Sequence, residues 1–498
     1  MIYVFIPNEL KTFESDIRDL CMAFFPMKKM SFVHEWEIDI NKFKFDSNDI
    51  VIKDYFRFDD NTLYTLERIY LKTIIKKNLY DYLNKITNKR LLWGTLTGIR
   101  PTNIAVKLIE DNKKKFVNSD AKKSIYDTFG LKPITYNNID YMTSEYVVDL
   151  LKKDYYVSEK KARELVEIAN NEISILNREK NFNYKNKYSI YIGITFCKST
   201  CLYCSFTSFN ISKYDSYVDK YLSSLENELK SNNMRYEPMT LYIGGGTPTS
   251  LDEKAFERLL NIVDKYIDNK NLLEYTIEAG RPDTITKKKL EIMKEHGVSR
   301  ISINPQTFNQ ATLDLIGRKH TVKDIYDKYY LARELNFDNI NMDIILGLPN
   351  EHIHNVLYTL FNIYKLKPDS LTVHSLALKR AARLNLEKNL WFNDYYFAGF
   401  SDKINFMFDI SRYFSKHLKL EPYYLYRQKN MAGNLENVGY AKKGLECIYN
   451  IMMMSERHTV YGFGTATTKK VYYENDNKRI ESIEGYKSIV DYCNKWYK

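Results

Sequence analysis

Proline and glycine are scarce in this chain, at 11 and 18 of 498 residues, which excludes a collagen-like repeat or a flexible low-complexity protein. No run of about 18 apolar residues occurs, so no membrane span is expected. The opening stretch MIYVFIPNELKTFESD has no basic segment followed by a long apolar one, and the expected localisation is therefore cytoplasmic. Cysteine is also rare. Of the six, three fall within eight positions while Cys21, Cys447 and Cys493 are scattered, which is no disulfide framework and suits a reducing compartment. Cluster or metal chemistry is the better use for three such close thiols.

What the chain has is a globular composition, 44% hydrophobic and 14% aromatic, and enough length for two or three domains. Its net charge of +11 is a mild excess, with lysine runs such as Lys113 to Lys115 and Lys287 to Lys289 alternating with acidic residues. A solvated basic surface explains that, and attraction of a polycarboxylate is the sharper alternative. No RNA-binding signature is present, so nucleic acid is the disfavoured partner.

The periodicity divides the chain in three. Residues 1–180 open with a strand-like Ile2 to Ile6 and end in a helical pattern, Glu159 to Asn177, which reads as an α+β domain of unassigned role. The charged stretch NREKNFNYKNK, Asn177 to Lys187, reads as a linker. Over 185–380, strand patterns at Tyr188 to Phe196, Thr240 to Ile243, Leu273 to Glu278, Arg300 to Asn304, Asn339 to Ile345 and Ser370 to Leu376 alternate with helical ones. The helices fall at Tyr214 to Lys230, Glu253 to Tyr266, Thr286 to His296, Val322 to Leu335 and Ile353 to Lys365. Six such alternations predict an α/β fold: a parallel sheet with right-handed crossovers, arranged as a partial (β/α)6 barrel with its chemistry at the C-terminal strand ends. Residues 381–498 lack this rhythm and form a mixed C-terminal segment expected to cover the substrate.

The strongest chemical signal is IYIGITFCKSTCLYCSF, a strand running into C-x3-C-x2-C at Cys197, Cys201 and Cys204. Three thiolates can hold three irons of a four-iron cluster, and the fourth iron is left open to chelate another molecule. A structural zinc would need a fourth ligand, and none lies at suitable local spacing. The second strand ends in Gly244-Gly245-Gly246-Thr247-Pro248, a backbone bare enough for close approach. Glu278 ends the third strand as a two-acceptor carboxylate. Gln306, Arg318 and Asp343 lie at or just after later strands. Taken singly, each has an ordinary structural explanation, and an aromatic residue such as Tyr191 or Tyr203 beside a loop is ordinarily core.

Together these segments resemble the radical S-adenosylmethionine superfamily, and EAGRPDTIT, ISINPQTFN and LIGRKHT look most like its oxygen-independent coproporphyrinogen oxidase and dehydrogenase branch. The resemblance spans roughly residues 185–470. It implies a 4Fe-4S cluster on Cys197, Cys201 and Cys204, and S-adenosylmethionine bound by Tyr191, Tyr203, Gly245, Gly246, Thr247, Glu278, Gln306, Arg318 and Asp343. In the resembled oxidases a second cofactor molecule lies near positions matching Ala377 and Thr468. Beyond the cluster and the radical drawn from S-adenosylmethionine, no catalytic side chain is implied.

The implied reaction is removal of a hydrogen atom from a propionate of coproporphyrinogen III, then loss of carbon dioxide and an electron to leave a vinyl group. Two such steps give protoporphyrinogen IX. The implied partners are a tetrapyrrole substrate and an electron donor such as flavodoxin or ferredoxin. Phe206 stands where the oxidases have a further cysteine. Two relatives with the same cluster and barrel remain as alternatives, a heme-binding chaperone and a heme-opening radical methyltransferase. Gly433 stands where the chaperones have a histidine. Arg380, Arg383 and Arg427 are candidate partners for propionates.

Overall fold

The computed structural model describes residues 1–25, 28–34, 49–53, 55, 68–98, 100–117, 136–178, 187–204, 206–232, 234, 236–376, 384, 400–427, 436–474, 476 and 479–497. They form two compact units, Met1–Asn170 and Asn171–Lys498. The stretch read as a linker falls largely on 179–186, outside the described residues.

In the first unit, β1 (Ile2–Ile6) lies between β2 (Met30–His34) and β3 (Ile50–Ile52) in a parallel sheet. Ile2, Val4 and Ile6 alternate towards one core, as a half-buried strand requires. That core is shared with Ile17, Leu20 and Phe24 of α1 (Glu14–Phe24) and with Leu71, Ile75, Leu79 and Leu83 of α2 (Arg68–Thr87). Helices α3 (Pro101–Val117), α4 (Tyr136–Tyr155) and α5 (Glu159–Arg178) follow.

The second unit is built on the expected alternation. Its parallel strands are β4 (Lys187–Ile194), β7 (Glu237–Gly245), β8 (Glu274–Gly280), β9 (Arg300–Ile303), β10 (Ile340–Leu346) and β11 (Ser370–Ser375). Two short strands, β5 (Phe196–Cys197) and β6 (Phe209–Asn210), bracket the cysteine loop. The crossovers are α6 (Val218–Ser231), α7 (Glu253–Tyr266), α8 (Lys287–Glu295), the pair α9 (Gln310–Leu315) and α10 (Val322–Glu334), and α11 (Ile353–Leu366). Amphipathic spacing drives them against the sheet: Phe256, Leu259, Leu260 and Val263 of α7 are all buried on one face. Their starts are capped, α7 by Asp252 accepting from the Ala255 N–H at 2.7 Å and α10 by a Thr321–Asp324 capping box.

The C-terminal segment adds α12 (Phe400–His417), β12 (Glu421–Arg427), β13 (Glu436–Ala441), α13 (Ile448–Ser455), β14 (Thr459–Gly464), β15 (Thr468–Tyr473), β16 (Arg479–Glu484) and α14 (Ile489–Trp496). Its strands extend both edges of the sheet, in the order β12-β13-β11-β10-β9-β8-β7-β4-β14-β15-β16. β13 is antiparallel to β11, whereas β14 is parallel to β4. Because β4 through β11 share one direction, the cysteine loop, the triple glycine, Glu278 and the segments after β9 to β11 meet at one end of the sheet. Among the described residues, no helix is long and apolar enough to cross a membrane.

Candidate active site

A cavity of about 470 Å³ opens at that end of the sheet. Cys197, Cys201 and Cys204 line it together. Among the described residues, no three or more His, Cys, Asp or Glu side chains close round a single-ion point, whereas a cluster takes each thiolate on a different iron. Burial pushes the Cys197 thiol up, partly offset by the Thr247 hydroxyl 3.4 Å from its Sγ, and pushes Cys204 up to about 11.

The glycine cradle is fixed by close backbone contacts. Gly245 takes φ +106°, a region that favours glycine. The Gly246 N–H donates to Ile194 O at 2.6 Å and the Thr247 N–H to Phe196 O at 2.8 Å. A Cβ on Gly244 would sit 2.9 Å from the Glu278 carboxyl carbon, and one on Gly246 would sit 2.5 Å from Phe196 O. Only a bare backbone fits between the cysteine strand and the carboxylate.

Glu278 lines the cavity, and burial pushes its carboxyl up to about 7 despite the Tyr242 hydroxyl donating to Oε1 at 2.6 Å. Folding favours the protonated form, so this group's contribution is full below about pH 4.5 and is lost as pH rises through about 7. Glu278→Gln is therefore expected to stabilise the cofactor-free protein at pH 8 by about 3 kcal/mol and to leave it unchanged at pH 4. Urea unfolding midpoints of the two proteins at both pH values measure this.

Asp343 behaves oppositely. Burial would raise it, but His374, with Nε2 3.7 Å away, and the Asn341 amide, donating at 2.7 Å, hold it below the usual carboxylate range. Gln306 is a non-glycine residue at φ +65°, held there by its N–H donating to Asp343 O and its O accepting from the Ile345 N–H. Arg318 donates to Asn304 O at 2.6 Å and to the Tyr203 hydroxyl at 3.3 Å. Tyr191 stacks on Tyr242 and on Tyr449 of α13, with centroids 5.9 and 6.0 Å apart.

Tyr191, Tyr203, Gly245, Gly246, Thr247, Glu278, Gln306, Arg318 and Asp343 thus all face the cavity with the three cysteines. Thr468 does not line it. It opens β15 opposite Glu484 on the β14–β16 edge, because the chain turns back after Thr465-Ala466 and carries the next residues away along the hairpin. Ala377, Arg380, Arg383 and Gly433 lie outside the described residues. Arg427 is buried on β12 in register with Glu436, and burial pushes its guanidinium down to about 10. It too is absent from the cavity wall.

Sequence reasoning passed over a column on β9 and the segment after it. Arg300, Ser302 and Asn304 precede Gln306 at alternate positions, and all four line the cavity. Each is buried with one side-chain atom lacking a hydrogen-bond partner: Arg300 Nε, Ser302 Oγ, Asn304 Oδ1 and Gln306 Oε1. Unmet buried polar atoms in a row imply a polar occupant. The polar alternation in RISINPQ was the available signal.

Residues 191–361 match the radical SAM superfamily. HemZ of Bacillus subtilis, an oxygen-independent coproporphyrinogen-III oxidase-like protein, is 36% identical over 457 residues, 90% of this chain and 81% of that protein. The chain belongs to this radical SAM branch.

The heme chaperone HemW of Bacillus subtilis is 35% identical over 195 residues, 38% of this chain and 51% of that protein. Among solved structures, coproporphyrinogen III oxidase HemN from Escherichia coli superposes with a TM-score of 0.50 at 19% identity, over 62% of this chain and 69% of that one. This last is a likeness of fold.

The cofactors of a radical SAM protein are a 4Fe-4S cluster and S-adenosylmethionine, and the cavity fits both. Three thiols face it with no fourth, Gly245 and Gly246 line it with no side chain in the way, and the row of unmet polar atoms lines it as well. When bound, the two together supply a carbon-centred radical able to take a hydrogen atom from an unactivated C–H bond.

Proposed function

We propose that this protein is an oxygen-independent decarboxylase of coproporphyrinogen III, converting two propionates to vinyls to give protoporphyrinogen IX. The carrying observation is the similarity to the oxidase-like HemZ protein over 90% of the chain, which takes in the first unit as well as the barrel. The tetrapyrrole and an electron donor of the flavodoxin or ferredoxin class are the partners this reading requires.

In this reading the nine cavity-facing residues bind the nucleotide. Glu278 accepts from the ribose hydroxyls, the Gly245-Gly246-Thr247 backbone takes the methionine end, and Gln306, Arg318 and Asp343 complete the cradle. The stacked Tyr191, Tyr242 and Tyr449 form an aromatic wall that excludes water from the reacting C–H bond. Because a carboxylate is the better acceptor for two hydroxyls, affinity for S-adenosylmethionine is expected to rise about tenfold from pH 6 to pH 8, as Glu278 ionises around pH 7. Equilibrium dialysis across that range, with Glu278→Gln giving a weaker and flat profile, measures it.

A second reading is a heme-handling chaperone, favoured by the 35% identity of the HemW protein over 195 residues. Reconstituted protein incubated anaerobically with S-adenosylmethionine, a strong reductant and coproporphyrinogen III separates the two. Loss of two carboxyl groups in step with 5′-deoxyadenosine supports the decarboxylase. Stoichiometric heme binding without decarboxylation replaces it with the chaperone.

A further inference from the structure

The segment between β8 and α8 carries two charged side chains that the nucleotide cradle does not use. Arg281 is buried and Asp283 partly so, and they form a two-point ion pair, Nε to Oδ1 at 3.1 Å and Nη2 to Oδ2 at 3.2 Å. This leaves Nη1 to point elsewhere. It donates to the main-chain oxygen of Ser199 at 3.0 Å and to its hydroxyl at 2.7 Å. Ser199 lies inside the C-x3-C segment, midway between the first two cluster cysteines.

Ser199 is tied on its other side as well, its hydroxyl donating to Gly317 O at 3.1 Å. Lys198 is held by the same carboxylate, its Nζ 3.4 Å from Asp283 Oδ2 and donating to Asp283 O at 3.2 Å. Two consecutive residues of the cysteine loop are thus anchored to one Arg–Asp pair on a neighbouring strand end. A guanidinium fork already fixed at two points by a carboxylate has one geometry left for its third donor.

The pair also sets the local charge. Arg281, Arg318 and Lys198 are positive and Asp283 is negative. His320, with Nδ1 3.9 Å from Asp283, adds nothing, because burial and Arg318 push it down to about 3. The loop therefore sits in a field of net positive sign, in which Arg281 and Arg318 are buried and Lys198 is half exposed. Such a field favours the reduced, more negative state of an iron–sulfur cluster.

We propose that Arg281, locked by Asp283, is the positioning residue of the cluster loop and raises the reduction potential of the cluster that the three cysteines hold. The claim rests on the superfamily's cluster and is independent of which substrate is used.

The test is an anaerobic redox titration of the reconstituted full chain, followed by the electron paramagnetic resonance of the reduced cluster, with iron per chain measured alongside. Removing the positive charge in Arg281→Gln should move the midpoint to a more negative value. Removing the negative charge in Asp283→Asn should move it to a more positive one. Each shift should change the oxidised-to-reduced ratio at fixed poise about tenfold, which is about 59 mV for a one-electron couple. Arg281→Lys keeps the charge without the fork, so its midpoint should stay near that of the parent while its iron content falls. A purely structural role would move Arg281→Gln and Asp283→Asn in the same direction or leave both midpoints unmoved, and either result overturns the proposal. Should Arg281→Gln hold no cluster, Asp283→Asn decides alone: an upward shift supports the proposal and an unmoved midpoint refutes it.

Discussion

Replacing Cys201 with alanine removes the iron–sulfur cluster and, with it, reductive cleavage of S-adenosylmethionine. The chain offers three thiols to the cavity, and the three other cysteines are buried elsewhere: Cys21 in the core of the first unit, Cys447 hydrogen-bonded to Glu274, and Cys493 on α14. None stands on the cysteine loop to replace a lost ligand. With two thiolates the site cannot satisfy three irons, and 5′-deoxyadenosine formation should fall by at least about a thousandfold, about 4 kcal/mol in barrier terms. The fold should persist, since Leu202 N–H still donates to Ile316 O and Arg281 still grips Ser199. The measurement is iron and acid-labile sulfide per chain, visible absorption and deoxyadenosine yield, with circular dichroism to confirm folding. A Cys201→Ala protein that kept its iron and its cleavage rate would remove the cluster assignment.

The barrel was legible because its signals are local. Each strand is a short apolar run and each helix an amphipathic stretch of ordinary length, so the sequence places α7 at Glu253 to Tyr266, where the structure has it, and β11 within one residue. The cysteine spacing and the glycine run are likewise local, and their meeting follows from parallel strand direction alone. What sequence could not show depends on contacts across the chain. Arg281 looks like a surface cation until Asp283 and Ser199 are seen around it. Tyr449 becomes part of the cavity wall only because α13 packs against β7 and sets its ring 4.7 Å from that of Tyr242. The C-terminal strands were missed as sheet extensions because β12 and β13 are antiparallel and lack the strand–helix rhythm of the barrel. Thr468 was expected only from the family resemblance, and it opens β15 opposite Glu484, off the cavity wall.

Gly246→Ala should be severely damaging, and it ties the glycine cradle to the cluster. The added Cβ would lie 2.5 Å from Phe196 O and 2.9 Å from Ile194 O, both main-chain atoms that no rotamer change can move aside. Relief requires the segment just after β7 to part from the ends of β4 and β5, where Gly246 N–H donates to Ile194 O and Thr247 N–H donates to Phe196 O. Overpacking of this kind costs about 3 kcal/mol. Phe196 directly precedes Cys197, so the displacement passes straight to the first cluster ligand, and Thr247 is drawn from the Cys197 sulfur it faces at 3.4 Å. Stability, cluster content and nucleotide affinity should therefore fall together, the last by about a hundredfold, about 2.7 kcal/mol. Gly98→Ala is the matched control: its Cβ would meet nothing within 4 Å, and its effect should stay within about 0.5 kcal/mol. Urea unfolding, iron analysis and equilibrium dialysis of the two variants decide the matter. If Gly246→Ala bound S-adenosylmethionine as tightly as the parent, the backbone there would not be the ligand's seat, and the cradle would have to be sought among the unmet groups of β9.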